Sequence, residues 1–153
     1  MTHPACEIRR ARAEDGPTIA ELNLLLARES EGLELDAPTV RAGVAAALAD
    51  ASKGIYLVAD EGGRLVGQLM LTVEWSDWRN GPIYWLQSVY VVAERRGSGV
   101  FRALWDRALE LARAAGARAM RLYVEEHNER AQEVYRRVGM TNSGYLVFEK
   151  QPV

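Results

Sequence analysis

Apolar positions recur along this chain with two periods, and the switch between them marks its elements. Residues 7–11 read as a short first strand. Ile19, Leu22 and Leu26 then recur at helical spacing, with Leu25 widening the stripe. Asp15 can cap that helix, and Pro17 fits its first turn. Asp36 and Pro38 start a second helix carrying Val40, Val44 and Leu48. Residues 55–59 and 65–74 predict a hairpin around the turn Asp60-Glu61-Gly62-Gly63. A polar and aromatic loop follows at 75–82, then an aromatic and β-branched strand at 83–92. After Gly97-Ser98-Gly99, a helix presents Phe101, Leu104, Ala108, Leu111 and Ala115 on one face and ends at Gly116. Met120, Leu122 and Val124 alternate with polar or amphipathic neighbours, as in a half-buried strand. Residues 129–138 form a helix stopped by Gly139, and 145–149 a last strand. The order is β-α-α-β-β-β-α-β-α-β, a mixed α/β sheet architecture.

A length of 153 residues predicts one domain spanning 1–153, because smaller units bury too little surface to stand alone. Lys plus Arg is 19 and Asp plus Glu 21, so net charge is -2 and bulk-charge binding to nucleic acid is not expected. All the basic residues except Lys53 and Lys150 are arginine. Cys6 is the only cysteine, which excludes an intrachain disulfide. With only His3 and His127 beside it, no metal site is expected, and Cys6 reads as a small core residue. No apolar run approaches the ~18–20 residues of a membrane span, and residues 1–12 lack a signal-peptide core. These features predict a cytoplasmic protein without a membrane partner.

Gly97-Ser98-Gly99 lies between a strand and a helix, where free N–H groups and the helix dipole favour an anion. Arg95 and Arg96 stand just before it and could add charge-assisted contacts. The expected ligand is a phosphate or pyrophosphate; the bland reading is a tight strand-to-helix turn. A phosphate loop of the Walker type is disfavoured, because Val100 follows Gly99 where Lys and Ser/Thr are needed. A dinucleotide fingerprint needs a third glycine where Arg102 stands.

Residues 89–104, Val-Tyr-Val-Val-Ala-Glu-Arg-Arg-Gly-Ser-Gly-Val-Phe-Arg-Ala-Leu, resemble the cofactor motif of the GCN5-related N-acetyltransferases, Q/R-x-x-G-x-G/A. Arg96 matches the first position and Gly99 the fourth; Phe101 replaces the usual last Gly or Ala, and Ala93 a frequent proline. Downstream, residues 128–140 resemble the family's N-x-x-A-x-x-x-Y-x-x-x-G-F/M segment through Asn128, Ala131, Tyr135, Gly139 and Met140.

The resemblance implies a fold whose fourth and fifth strands splay apart to admit acetyl-CoA. Val91 and Ala93 would offer backbone groups to the acetyl and pantetheine parts. Arg95, Arg96, Gly97, Ser98, Gly99, Phe101 and Arg102 would cradle the pyrophosphate, and Asn128 would reach the pantetheine arm. The implied reaction is direct attack of an amine on the thioester in a ternary complex. The Val91 N–H would stabilise the developing oxyanion, and Tyr135 would protonate the departing thiolate. Glu74, Glu125 and His127 are candidate bases, each of which also reads as a solvated surface group.

The acidic run Glu29, Glu31, Glu34, Asp36 could attract a cationic amine, or be plain solvated surface. Trp75 and Trp78 could supply an aromatic wall, while Trp85 reads as packing. The expected acceptor is a small primary amine, and the resemblance leaves a homodimer open. Competing readings are a protein acetyltransferase acting on lysine or an N-terminus, and a catalytically degenerate acyl-CoA-binding module, the latter kept open by Phe101.

Overall fold

The structure, a computed structural model, describes residues 6–153, so His3 lies outside the described residues. The chain divides into two compact units, one ending at Tyr123 and one comprising Val124–Val153.

The first unit contains strands β1 (Glu7–Arg10), β2 (Ile55–Glu61), β3 (Arg64–Ser76), β4 (Gly81–Val91) and β5 (Ala119–Leu122). Its helices are α1 (Gly16–Glu31), α2 (Ala37–Ala49) and α3 (Val100–Ala114). The sheet runs β1-β2-β3-β4-β5. Every pairing is antiparallel except β4–β5, which is parallel because α3 carries the chain back across the sheet. Gly62 and Gly63, at φ +63° and +96°, close the β2–β3 hairpin with the two positive angles that a right-twisted ribbon favours. Successive residues of β3 point to opposite faces. A Cβ on Gly67 would meet Val100 at 2.8 Å and Leu104 at 3.2 Å, so α3 lies close against that face. Gln68 on the other face bonds Asn23 of α1. Ile19, Leu57, Leu69, Leu71, Leu86 and Leu104 fill the core between these layers.

Asp36 caps α2 as its position implies, accepting the Thr39 N–H at 3.1 Å. Asp15 precedes α1 but makes no side-chain cap, which corrects the sequence reading. Its carboxylate instead binds both terminal nitrogens of Arg9, at 2.8 and 3.1 Å, and the Arg12 N–H at 2.7 Å. The mostly buried Arg9 guanidinium also reaches Asp60 at 3.1 Å, and a buried cation claims carboxylates ahead of a helix end.

Two irregularities shape β4. Met70 pairs with Gln87 and Gln68 with Tyr90, so Leu69 faces both Ser88 and Val89 in a bulge. Ser88 sits at φ +51°, a conformation costing a non-glycine residue on the order of 1 kcal/mol or more. The pairing of β4 with β5 stops at Leu86↔Leu122, while β4 runs on to Val91. The Val92 N–H donates to the Val66 carbonyl, so strand alternation turns the N–H and C=O of Val91 away from β3. The expected splay is therefore a free backbone edge at residues 87–91.

The second unit is built on α4 (Glu129–Arg137). Asn128 Oδ1 accepts the Ala131 N–H at 3.1 Å and caps the helix start. Gly139, at φ +92°, ends it, and the Met140 N–H returns to the Tyr135 carbonyl at 3.1 Å. The strand expected at 145–149 does not form. An apolar run becomes a strand only against a neighbouring edge, and Leu146 and Phe148 are 83% and 92% exposed. Val124 likewise lies beyond the end of β5.

Candidate functional site

The glycine turn joins the free edge of β4 to α3. After β4 the chain makes one 3-10 turn, Ala93–Arg95, and then turns through Gly97 and Gly99 at φ +74° and +90°. Among the described residues, a Cβ on either glycine would meet no atom within 4 Å, so both present open backbone. Left-handed residues at the head of a fifteen-residue helix leave successive N–H groups without intrahelical acceptors. That cradle fits a pyrophosphate. The Ser98 hydroxyl donates to the Arg95 carbonyl at 2.5 Å and is committed to the turn itself.

The three arginines around the turn have separate fates. Arg95 is buried, with its Nη1 2.8 Å from Glu61 Oε1. The pair is a close charge contact without aligned hydrogen bonds, and Arg95 Nε is buried without a partner among the described residues. This side chain anchors the turn to the end of β2 rather than reaching a ligand, which corrects its expected side-chain contact with pyrophosphate. Arg96 donates from Nε to the Val91 carbonyl at 2.9 Å and from Nη2 to Glu29 at 2.8 Å. It also lies over the Tyr90 ring, 5.4 Å from its centre. Arg102 is exposed and pairs with Asp106 one helical turn away at 3.1 Å. Phe101 is half-buried.

Backbone groups near the turn are partly committed too. Arg96 occupies the carbonyl of Val91, which leaves its N–H toward the free edge. The Ala93 carbonyl accepts the Arg96 N–H at 3.3 Å.

The acidic run does not act as a single field. Burial would raise the Glu29 carboxyl, but hydrogen bonds from Tyr90 and Arg96 outweigh it and hold the group below the ordinary glutamate value. Glu34 pairs with Arg28 at 2.8 Å, and Asp36 is spent on its cap. Glu31 is exposed and makes no ion pair among the described residues. Trp75 and Trp78 are 63% and 91% exposed, so neither is core. Trp85 stacks on Tyr123 at 4.7 Å, with Arg121 above its ring. Glu74 lies 3.5 Å from Trp85 Nε1 and 3.6 Å from Arg121.

Within the second unit, Tyr135 is half-buried, and burial raises its phenol above the ordinary value. Asn128 has spent its carbonyl oxygen on the α4 cap, leaving its amide N–H groups for any ligand. Glu125 accepts the His127 N–H at 2.8 Å. The ligand-capable atoms of Glu125, Glu126 and His127 lie within 4.8 Å of one another, all on exposed side chains. The expectation gave no sign of two features: the β4 bulge and the Arg95–Glu61 pair. Gln68, a polar residue inside an apolar strand, was the available clue to the first.

Comparison with known proteins places these features. The model of the acetyltransferase (GNAT) family matches residues 20–140. A mycothiol acetyltransferase of Beutenbergia cavernae is 41% identical over 88 residues, covering 57% of this chain and 28% of its own. The chain thus spans less than a third of that relative's length. An uncharacterized N-acetyltransferase, YhfO, of Bacillus subtilis is 30% identical over 86% of this chain and 87% of its own. The crystal structure of a possible acetyltransferase from Clostridium difficile 630 superposes with a TM-score of 0.89 at 42% identity, covering 97% of this chain and 98% of that one. Among the described residues, no helix is long and apolar enough to cross a membrane.

Proposed function

The chain belongs to the acetyltransferase (GNAT) family, and on that premise we propose that it transfers an acetyl group from acetyl-CoA to a small primary amine. The observation that carries the reading is the free backbone edge of β4, which leads through one 3-10 turn to the glycine turn. When bound, acetyl-CoA supplies a thioester carbonyl and a thiolate leaving group.

The N–H groups of the turn and of the first turn of α3 would hold the pyrophosphate, with the exposed Arg102 beside them. The Val91 N–H, facing away from β3, donates to the carbonyl oxygen as charge develops there. In the second unit, Tyr135, whose phenol burial raises, is the proposed proton donor. An ammonium acceptor must first lose a proton, for which Glu74 and Glu125 are the carboxylates on offer. Because Glu29 is paired with Arg96 and Glu74 with Arg121, recognition of a cationic amine falls to Glu31 and the exposed faces of Trp75 and Trp78.

A thiol-release assay with acetyl-CoA and a diverse amine panel tests the reading. Acceptor-dependent release is expected. Tight acetyl-CoA binding with no release for any amine would instead support a non-catalytic acyl-CoA-binding module. For an identified amine, Glu31→Gln and Trp78→Ala should each raise KM, and unchanged values would refute this acceptor surface.

A further inference from the structure

A buried polar chain lies beneath the β4 bulge. Gln68 of β3 is fully buried. Its Nε2 donates to the Ser88 carbonyl at 3.1 Å and to Asn23 Oδ1 at 2.7 Å. Asn23 in turn donates to the Tyr56 hydroxyl at 3.2 Å. The Ser88 carbonyl can only accept, so the amide nitrogen rather than the oxygen must face it. Among the described residues, Gln68 Oε1 is left buried without a partner. Two costs are thus held in one place: an orphaned acceptor, and a non-glycine residue in the left-handed region. Such conformations persist where the surroundings over-determine them. Here the Gln68–Ser88 bond does so, and Asn23 keeps the amide turned toward it.

We propose that Gln68 is a positioning residue for acyl transfer: its carboxamide holds the β4 bulge, and thereby the orientation of the free edge at residues 89–91. The inference rests on reading that edge as the acyl site. It links α1, β2 and β3 to the edge through three side chains, Asn23, Tyr56 and Gln68. A side chain that merely filled space would be replaceable by an apolar one of like volume. A positioning amide would not, because methionine offers the Ser88 carbonyl nothing.

Amide hydrogen exchange of the ligand-free protein tests this directly, with wild type, Gln68→Met and Asn23→Ala. Exchange within residues 88–91, read at Tyr90, whose N–H faces β3 by the alternation that frees Val91, should accelerate about tenfold or more in Gln68→Met and less in Asn23→Ala, with β2 amides little changed. In turnover, Gln68→Met should lose about tenfold or more in kcat, since small misplacements at a reacting centre are costly. KM for acetyl-CoA should move far less, because the glycine turn is untouched. A folded Gln68→Met with wild-type exchange at 88–91 and unchanged kcat overturns the proposal. Gln68→Glu adds a pH signature: its protonated form can donate to Ser88 and its ionised form cannot. Its kcat should therefore fall as pH rises through the new carboxyl's burial-raised pKa, and a wild-type profile counts against the proposal. Should both Gln68 variants fail to fold, Asn23→Ala decides, and unchanged exchange at 88–91 overturns it. Absence of thiol release in the wild type would instead overturn the acyl-site reading, while the exchange results still judge the clamp.

Discussion

The two units of this chain solve the problem of order differently. Every fully buried side chain of the described residues lies before Val124, in the unit built on the sheet. There, charges are held as buried pairs, Arg9 with Asp15 and Asp60, and Arg95 with Glu61. The unit from Val124 onward buries no residue fully. Its helix α4 relies on local devices: the Asn128 cap, the Gly139 stop, and exposed pairs such as Arg137–Glu133 at 3.4 Å. Devices of that kind contribute about 0.3–1 kcal/mol each, against several for a buried leucine. The contrast locates stability in the first unit, while the second bears Tyr135, whose proposed task is chemical.

The strongest way to break the contrast is to remove one partner of the Arg95–Glu61 pair. Arg95→Met leaves a buried carboxylate and should cost about 3–5 kcal/mol. Glu61→Leu added to it should restore most of that, and denaturant unfolding reads both. Leu104→Ala, at a fully buried position, should cost about 2–5 kcal/mol by the same measurement.

Tyr135→Phe should invert the pattern. Turnover falls roughly 10²-fold, while stability changes by less than about 1 kcal/mol. Near-wild-type turnover with chemistry rate-limiting removes the acid role. Burial raises the Tyr135 phenol above 10.0, so the proposed acid should impose no alkaline fall in kcat below about pH 10.

Acid sensitivity should also separate the units. The hydrogen bond from Arg9 holds the Asp15 carboxyl below its ordinary 3.8, against the opposing effect of burial. Its contribution is fully present above about pH 4 and is lost as pH falls through the lowered pKa. In Arg9→Met that part of the acid dependence should disappear. The smallest effect is expected at the exposed tail: Phe148→Ser should shift unfolding of the first unit by no more than about 0.5 kcal/mol.

How far the sequence could be read follows the range of each interaction. The helix stops at Gly116 and Gly139, the Asp36 cap, the hairpin at Gly62-Gly63 and the turn at Gly97 and Gly99 were all legible. Each depends on a residue's own φ or on neighbours a few positions away. The two spaced motifs also carried the family, because their residue types and order are themselves linear.

Tertiary structure decided what those residues are free to do. Arg95 and Arg96 look alike in the sequence, yet one is buried on Glu61 and the other bridges Glu29 and Val91. Asp15 stands where a cap belongs and serves Arg9 instead. The bulge at Ser88 is bonded to a carboxamide 20 residues away, and the run at 145–149 found no ladder to join. Charges, amides and strand edges are completed by partners that only the folded topology brings near. Their roles are therefore set in three dimensions, even where their identities are plain in one.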